Sequence, residues 1–251
     1  NVIVGPVKPS EIGSVLNATE GKSIVFSPMD HGGEQLVEGN PFLVQVPPAA
    51  ASQQENITRL FADKCSSDKN AIVIYEKGGV DTTHLAFARS VLDSAGVQYS
   101  TLSYGILEGR EILEKMSGYM KPDTDNLVLV LSNSEAFVSD VVRNLNLIHT
   151  NPQEENRRSI TLFGLPRWRN FERIEVDYFH RMNLHLCVPY FVDYNNEEVK
   201  GFLMKYRALV NSEPTPFAFQ GYDVATAAIN FNNSNIAPGM QMRLRSLNEF
   251  T

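Results

Sequence analysis

Between residues 70 and 190 the chain alternates strand-like and helix-like segments about five times, and that alternation leaves few folds open. Ala71-Ile72-Val73-Ile74-Tyr75 is a short continuous apolar run, the pattern of a strand buried on both faces. Glu76-Lys77-Gly78-Gly79 is a turn, and Asp81 and Thr82 are good N-cap types. Leu85, Phe87, Ala88, Val91, Leu92 and Ala95 follow helical spacing, and Gly96 closes that helix. The pattern then recurs. Val97 to Leu102 reads as a strand, Ile106 to Met116 as a helix and Pro122-Asp123 as a break. Asn126-Leu127-Val128-Leu129-Val130-Leu131 is the strongest strand. Ser132 or Ser134 caps a helix carrying Phe137, Val138, Val141, Val142 and Leu145. A polar loop follows from Thr150 to Arg158. Ile160 to Phe163 is a strand ending at Gly164-Leu165-Pro166, a short helix spans Phe171 to Met182, and a last strand runs from Leu184 to Tyr190. Such alternation predicts βαβ units, right-handed crossovers and a parallel sheet covered by helices, an α/β doubly wound architecture.

The flanks are sparser. Residues 1 to 46 hold a strand at Val2 to Val4, a weak helix at Glu11 to Thr19, a strand at Ser23 to Phe26 and an extended Phe42 to Val46. Residues 195 to 230 hold two helices, one with Val199, Phe202, Leu203, Tyr206 and Leu209, the other with Tyr222, Val224, Ala225, Ala228 and Ile229. Neither flank makes a domain alone, so both ends are expected to fold together. The expected division is a discontinuous first lobe of residues 1–50 plus 192–251 and a continuous second lobe of residues 51–191. Pro47-Pro48 and Pro189 would sit at the crossings, as stiffeners of hinge strands or as loop punctuation.

With 251 residues, 43% hydrophobic and 20% charged, the chain can bury a substantial core and is not disordered in type. Net charge is −7, and the densest basic spots are Arg157-Arg158 and Arg167-Trp168-Arg169, which disfavours nucleic acid as a partner. No apolar run reaches the ~18 residues of a membrane span. The chain opens directly on a strand-like Asn1-Val2-Ile3-Val4, which reads as a processed or truncated segment. Cys65 and Cys187 form no CxxC motif. They read as two buried thiols or, in an oxidising compartment, as one disulfide. No HExxH, GxSxG or P-loop appears, and the five histidines make no i, i+4 pair, so neither a metal nor a cofactor is expected and an enzyme is disfavoured.

Landmarks along nearly the whole chain, in order, resemble the type I periplasmic binding proteins. Val2-Ile3-Val4-Gly5-Pro6 is similar to that family's first-lobe strand and turn. Ile24-Val25-Phe26-Ser27-Pro28 resembles its next strand, and Asn40-Pro41-Phe42-Leu43-Val44-Gln45 before Pro47-Pro48 resembles its approach to the first crossover. Gln53-Gln54 opens the next helix as in the family. Phe202 to Arg207, Pro214 and Phe217-Ala218-Phe219-Gln220-Gly221-Tyr222-Asp223 match its late signature. The likeness is to the branched-chain amino-acid receptor type, and in style to a group that carries a peptidoglycan-binding LysM module. Family members usually begin with a βαβα unit ahead of the first of these strands. That unit is not in the sequence, so the first lobe is expected to be incomplete, with an unpaired parallel edge that invites pairing into a homodimer.

The resemblance implies a non-catalytic solute-binding protein of the periplasm or cell envelope, lipoprotein-anchored in the intact product and linked to ABC transport or sensing. Its partners would be a small-molecule ligand, amino-acid-like, and a membrane permease or cell-wall components. The ligand would sit in the cleft between lobes, at the carboxyl ends of strands, with hinge closure around it. The residues so placed are Pro6, Val7, Ser27, Met29, Asp30, Glu76, Tyr104, Ser132, Ser134 and Leu165. Where amino-acid receptors carry small hydroxyl residues, this chain has Val7-Lys8-Pro9 and Met29-Asp30-His31, and Val80 stands where an aromatic is common. Those departures point away from an amino acid. Asp30, Glu76 and Glu135 suit a cationic or polyhydroxyl ligand, or are solvated loop residues. Asp223 reads as a helix cap or a ligand contact, and Trp168 as a stacking surface or a packed side chain. The alternative function is a degenerate binding fold used as an envelope scaffold or interaction module.

Overall fold

The structure is a computed structural model of the 251-residue chain. It describes residues 1–28, 34–37, 39–48, 50–79, 82–106, 111–150 and 158–233. The chain divides into two compact units: Asn1–Ala50 with Pro189–Thr251, and Ala51–Val188.

The second unit begins with α3 (Ala50–Lys64), whose first residue lies on the boundary, and contains α4 (Thr82–Ser94), α5 (Glu111–Tyr119), α6 (Glu135–His149) and α7 (Val176–Arg181). Its strands are β4 (Asn70–Glu76), β5 (Tyr99–Tyr104), β6 (Asp125–Leu131), β7 (Ser159–Gly164) and β8 (His185–Leu186). All pair in parallel, in the order β5-β4-β6-β7-β8. The apolar runs in β4 and β6 are buried along almost their whole length, because helices cover both faces. On α6, Phe137, Val138, Val141, Val142, Leu145 and Ile148 form one buried stripe. Each such side chain contributes ~1.5–3 kcal/mol of burial. Of the two expected caps of α6, Ser134 is the one that acts: its Oγ accepts from Phe137 N at 3.4 Å.

Several boundaries differ from the sequence expectation. Val97 lies in the stop that follows α4 rather than in a strand. Gly96, at φ +69°, donates to Asp93 O, and Val97 N donates to Leu92 O, a paired glycine stop. The strand therefore runs from Tyr99 to Tyr104. The helix expected over 106–116 is α5, Glu111–Tyr119; residues 107–110 lie outside the described residues, as does Asp81. The helix expected over 171–182 is shorter, α7 at Val176–Arg181, and follows a 3-10 turn at Pro166–Asn170 and irregular chain at 171–175. The last strand is His185–Leu186 only; Pro189, lacking a donor, cannot extend it.

The amino edge of this sheet is held by one amide. Asn126, fully buried, accepts through Oδ1 from Asn70 Nδ2 and Lys121 N, both at 2.8 Å. Its Nδ2 donates to the carbonyls of Lys121, Thr124 and Ser159 at 2.9–3.0 Å. Three segments are tied together by hydrogen bonds no water supplies. Cys65 and Cys187 are free, half-buried thiols against the same core, so the disulfide reading does not hold here. Burial pushes the Cys65 thiol up to about 11, with Lys69 opposing, and raises Cys187 as well.

The first unit contains β1 (Val2–Val4), α1 (Ile12–Thr19), β2 (Ile24–Ser27), α2 (Glu34–Val37) and β3 (Leu43–Gln45), then α8 (Glu197–Val210) and α9 (Pro216–Asn233). Its sheet is parallel, in the order β1-β2-β3. Alternate residues of β2 face two small clusters. Ile24 and Phe26 meet Val224, Ala228 and Phe231 of α9, while Val25 meets Ile12 of α1. Helix α9 runs unbroken from Pro216, so Asp223 lies two turns inside it and caps nothing, which corrects the cap reading. Proline is well placed at the first turn of that helix.

Candidate functional site

In a parallel sheet the loops beyond the carboxyl ends of strands are where ligands are met, above all where neighbouring strands send their loops in opposite directions. In the second unit that point lies between β4 and β6. From β4 the chain leads to β5 on one side, and from β6 to β7 on the other. Glu76 ends β4, and Ser132 follows β6. Ser132 Oγ donates to Glu76 Oε2 at 3.5 Å and accepts from Ser134 N at 3.1 Å. Ser132 itself is fully buried, while Glu76 and Ser134 are half-exposed. The two serines thus bring a helix N-terminus and a carboxylate to one edge. The exposed part offers an acceptor at Glu76 and a hydroxyl at Ser134.

The surroundings are rigidly held. Trp168 Nε1 donates to Ser132 O at 2.9 Å, and the indole is buried with Phe171 and Phe179 stacked near it. The packing reading of Trp168 is the correct one of the two; it offers no ring face to a ligand. Its ring lies so close to Gly164 that a Cβ there would be 2.4 Å from Cε3, which explains the glycine. Glu135 Oε1 accepts from Glu172 N at 2.8 Å and Arg173 N at 2.7 Å, so this acid braces a loop instead of standing free in solvent.

Two of the expected ligand residues are core residues. Tyr104 is fully buried against Phe137, and its hydroxyl donates to Asp140 Oδ2 at 3.0 Å. Burial and the Asp140 charge push its phenol far above the usual value. Leu165 is 2% exposed inside the same cluster. Both sit at carboxyl strand ends, as expected, but their side chains turn inward, so their place in a ligand set is withdrawn.

The first unit presents its own edge. Gly5 adopts φ +125° and its N–H donates to Phe26 O at 2.8 Å, which lifts Pro6 and Val7 out beyond β1. Val7 is 64% exposed and Pro6 half-buried. Ser27 is 2% exposed; its carbonyl accepts from Val46 N at 3.0 Å. Met29 and Asp30 lie outside the described residues, as do His31 and Val80. Gln220 of α9 donates to Pro28 O at 2.8 Å and so steadies the loop beyond β2. That brace was not legible from sequence. The glutamine stands in the late signature, but its partner is 192 residues away. Among the described residues no group of three or more His, Cys, Asp or Glu is placed to hold a metal, and no helix is long and apolar enough to cross a membrane.

Against solved structures the chain aligns over most of its length. The matches include a candidate branched-chain amino acid ABC transporter protein from Rhodospirillum rubrum, at TM-score 0.53 and 14% identity, covering 90% of this chain and 62% of that one. A branched-chain amino acid ABC transporter protein of Rhodopseudomonas palustris matches at TM-score 0.53 and 12% identity, over 89% and 58%. An ABC transporter substrate-binding protein of Desulfitobacterium hafniense gives 0.53 and 15%, over 96% and 72%. The fold is that of the type I periplasmic binding proteins. The chain spans about three fifths of the length of the first two of these relatives. At these identities the likeness is one of fold. No protein-family model and no curated protein sequence matches the chain.

Proposed function

We propose that the chain is a non-catalytic solute-binding protein of the periplasm or cell envelope, working with ABC transport or sensing. Its two units correspond to the two lobes of the fold. The candidate ligand residues in each unit lie at the carboxyl edges of its strands. From the first these are Pro6, Val7 and the backbone at Ser27. From the second they are Glu76, Ser134 and the buried Ser132 that orients them. The carrying observation is the Glu76–Ser132–Ser134 cluster, set at the switch point of the five-stranded sheet. It is an edge with an acceptor and a helix N-terminus side by side, in a fold whose relatives include an ABC transporter substrate-binding protein.

A carboxylate beside a hydroxyl suits a ligand with hydroxyl or ammonium donors more than a bare carboxylic acid. The deciding measurement is thermal unfolding across amino acids, aromatic acids, sugars, polyamines and muropeptides. A cognate solute at 100 times its dissociation constant adds about 2.7 kcal/mol of stability. Glu76→Gln should reduce that gain while leaving the unliganded midpoint nearly unchanged.

The second reading is a scaffold, and one observation favours it: Ser27, Ser132, Tyr104 and Leu165, four of the residues expected at the ligand, are almost wholly buried. A cell-wall partner or a second copy of the chain would then replace the solute. An unmoved midpoint across the whole panel, with saturable retention on peptidoglycan or concentration-dependent dimerisation, would establish this reading instead.

A further inference from the structure

At the amino rim of the five-stranded sheet, the rim away from Glu76 and Ser132, lies an open groove of about 610 Å³. The loops that follow α3 and α4, the first residues of β4 and β5, and the loop before β6 line it. That volume falls inside the ~300–1,000 Å³ of small-molecule sites. Two ammonium groups stand in the lining, from Lys69 and Lys121, and among the described residues no Asp, Glu or Arg does. No ion pair engages either lysine among the described residues. Two flanking acids accept from lining hydroxyls: Asp68 from Ser66 Oγ, and Asp93 from the Tyr99 hydroxyl at 3.0 Å.

The floor carries a second signal. Asn70 is 6% exposed, and both hydrogens of its Nδ2 are spent, on Tyr119 O and Asn126 Oδ1, each at 2.8 Å. Its Oδ1 has no partner among the described residues, which leaves a buried-residue acceptor at the groove. Helices α3 and α4 also end at this rim, and their last carbonyls add acceptors with a partial negative charge. Two full ammonium charges exceed that partial charge. Ser67, Ser100 and Gln98 complete a polar wall. The groove thus asks for two things in one ligand: an anionic group for the lysines and hydroxyl donors for the acceptors. A phosphate monoester carries about −1.5 to −2 at neutral pH, which matches two lysines, and point-charge lysines without an arginine fork suit phosphate better than a flat carboxylate.

We propose that this groove binds a phosphorylated sugar, with Lys69 and Lys121 on the phosphate and Asn70 Oδ1, Ser67 and Ser100 on the hydroxyls. It shares no residue with the strand-edge cluster, and it stands or falls independently of the solute-binding reading.

The test is isothermal titration calorimetry on the full chain at constant ionic strength with glucose 6-phosphate. Glucose, inorganic phosphate and glucuronate serve as the neutral, sugar-free and carboxylate controls. Saturable binding of glucose 6-phosphate, at least tenfold tighter than any of the three controls, is expected. Lys69→Gln and Lys121→Gln should each weaken it at least threefold, and the double variant should abolish it. Lys121 is exposed and Lys69 half-exposed, so the variants keep the fold, which an unchanged urea midpoint verifies. Glucose 6-phosphate bound no tighter than any one of the controls, or with unchanged affinity in K69Q, K121Q and the double variant, overturns the proposal.

Discussion

Both units are parallel sheets with helices packed on them, but they bury their strands to different depths. In the second unit β4, β6 and β7 each have a strand on either side, and one continuous core runs through all the helices. Among the described residues of the first unit only β2 is paired on both edges, and its apolar residues divide between two small clusters. The helices reflect this. Helix α6 buries Phe137 through Ile148 along one stripe, whereas α8 buries only Val199 and leaves Met204, Leu209 and Val210 exposed. The same βα chemistry therefore gives unequal reserves of stability, set by how many strands share a core.

The largest test of that difference is a matched pair of cavities. Phe163 and Phe26 are both fully buried. Phe163→Ala should cost about 3–5 kcal/mol, because the ring packs edge-on against Phe61 in a core with no room to relax. Phe26→Ala should cost less, about 2–3 kcal/mol, because its thin cluster collapses more easily around the loss. Urea unfolding measures both. The only tryptophan, Trp168, reports the second unit, and far-UV circular dichroism reports both units. Equal costs would break the comparison.

Next in size is Asn126→Leu. It leaves the Lys121 amide and three carbonyls without their partner inside the protein, and should cost about 3 kcal/mol. The loss should appear in the Trp168 signal. A comparable loss without any change in that signal would place the hub outside the second unit's cooperative core.

The smallest effects are in pH, and they have opposite signs. Burial, with some help from Lys64, lowers the His185 pKa in the second unit. Its unfolded form then binds protons more readily, so stability present above about pH 6.5 is lost as pH falls through the depressed value. In the first unit Asp223 is raised. Its stabilising contribution is present below the unfolded value near 3.8 and is lost as pH rises through the folded one. His185→Phe should flatten the first dependence and Asp223→Asn the second, each seen as a shift of the urea midpoint with pH.

Much of the second unit was legible because its signals are local. The runs at 71–75 and 126–131 have the short apolar pattern of strands buried on both faces, and the spacing from Phe137 to Leu145 that of a helix. Boundaries were misplaced where a hydrogen bond competed with hydrophobicity: Val97 reads as strand but closes a helix stop. The candidate site was legible only in part. Strand ends mark where loops emerge, so the placement of Glu76, Ser132 and Ser134 at one carboxyl edge was legible. Which way a side chain turns depends on packing from distant segments, so Tyr104 and Leu165 were not seen to face inward. The Tyr190–Asp223 and Gln220–Pro28 bonds span 33 and 192 residues, beyond any local pattern.

The Asn126 hub has a consequence for how such a protein diversifies. Register and strand order are secured at the amino end of the sheet by one amide that touches none of Glu76, Ser132 and Ser134. Substitutions at Glu76 or Ser134 then leave that anchor untouched. The carboxyl rim can change in sequence while the opposite rim keeps the architecture constant.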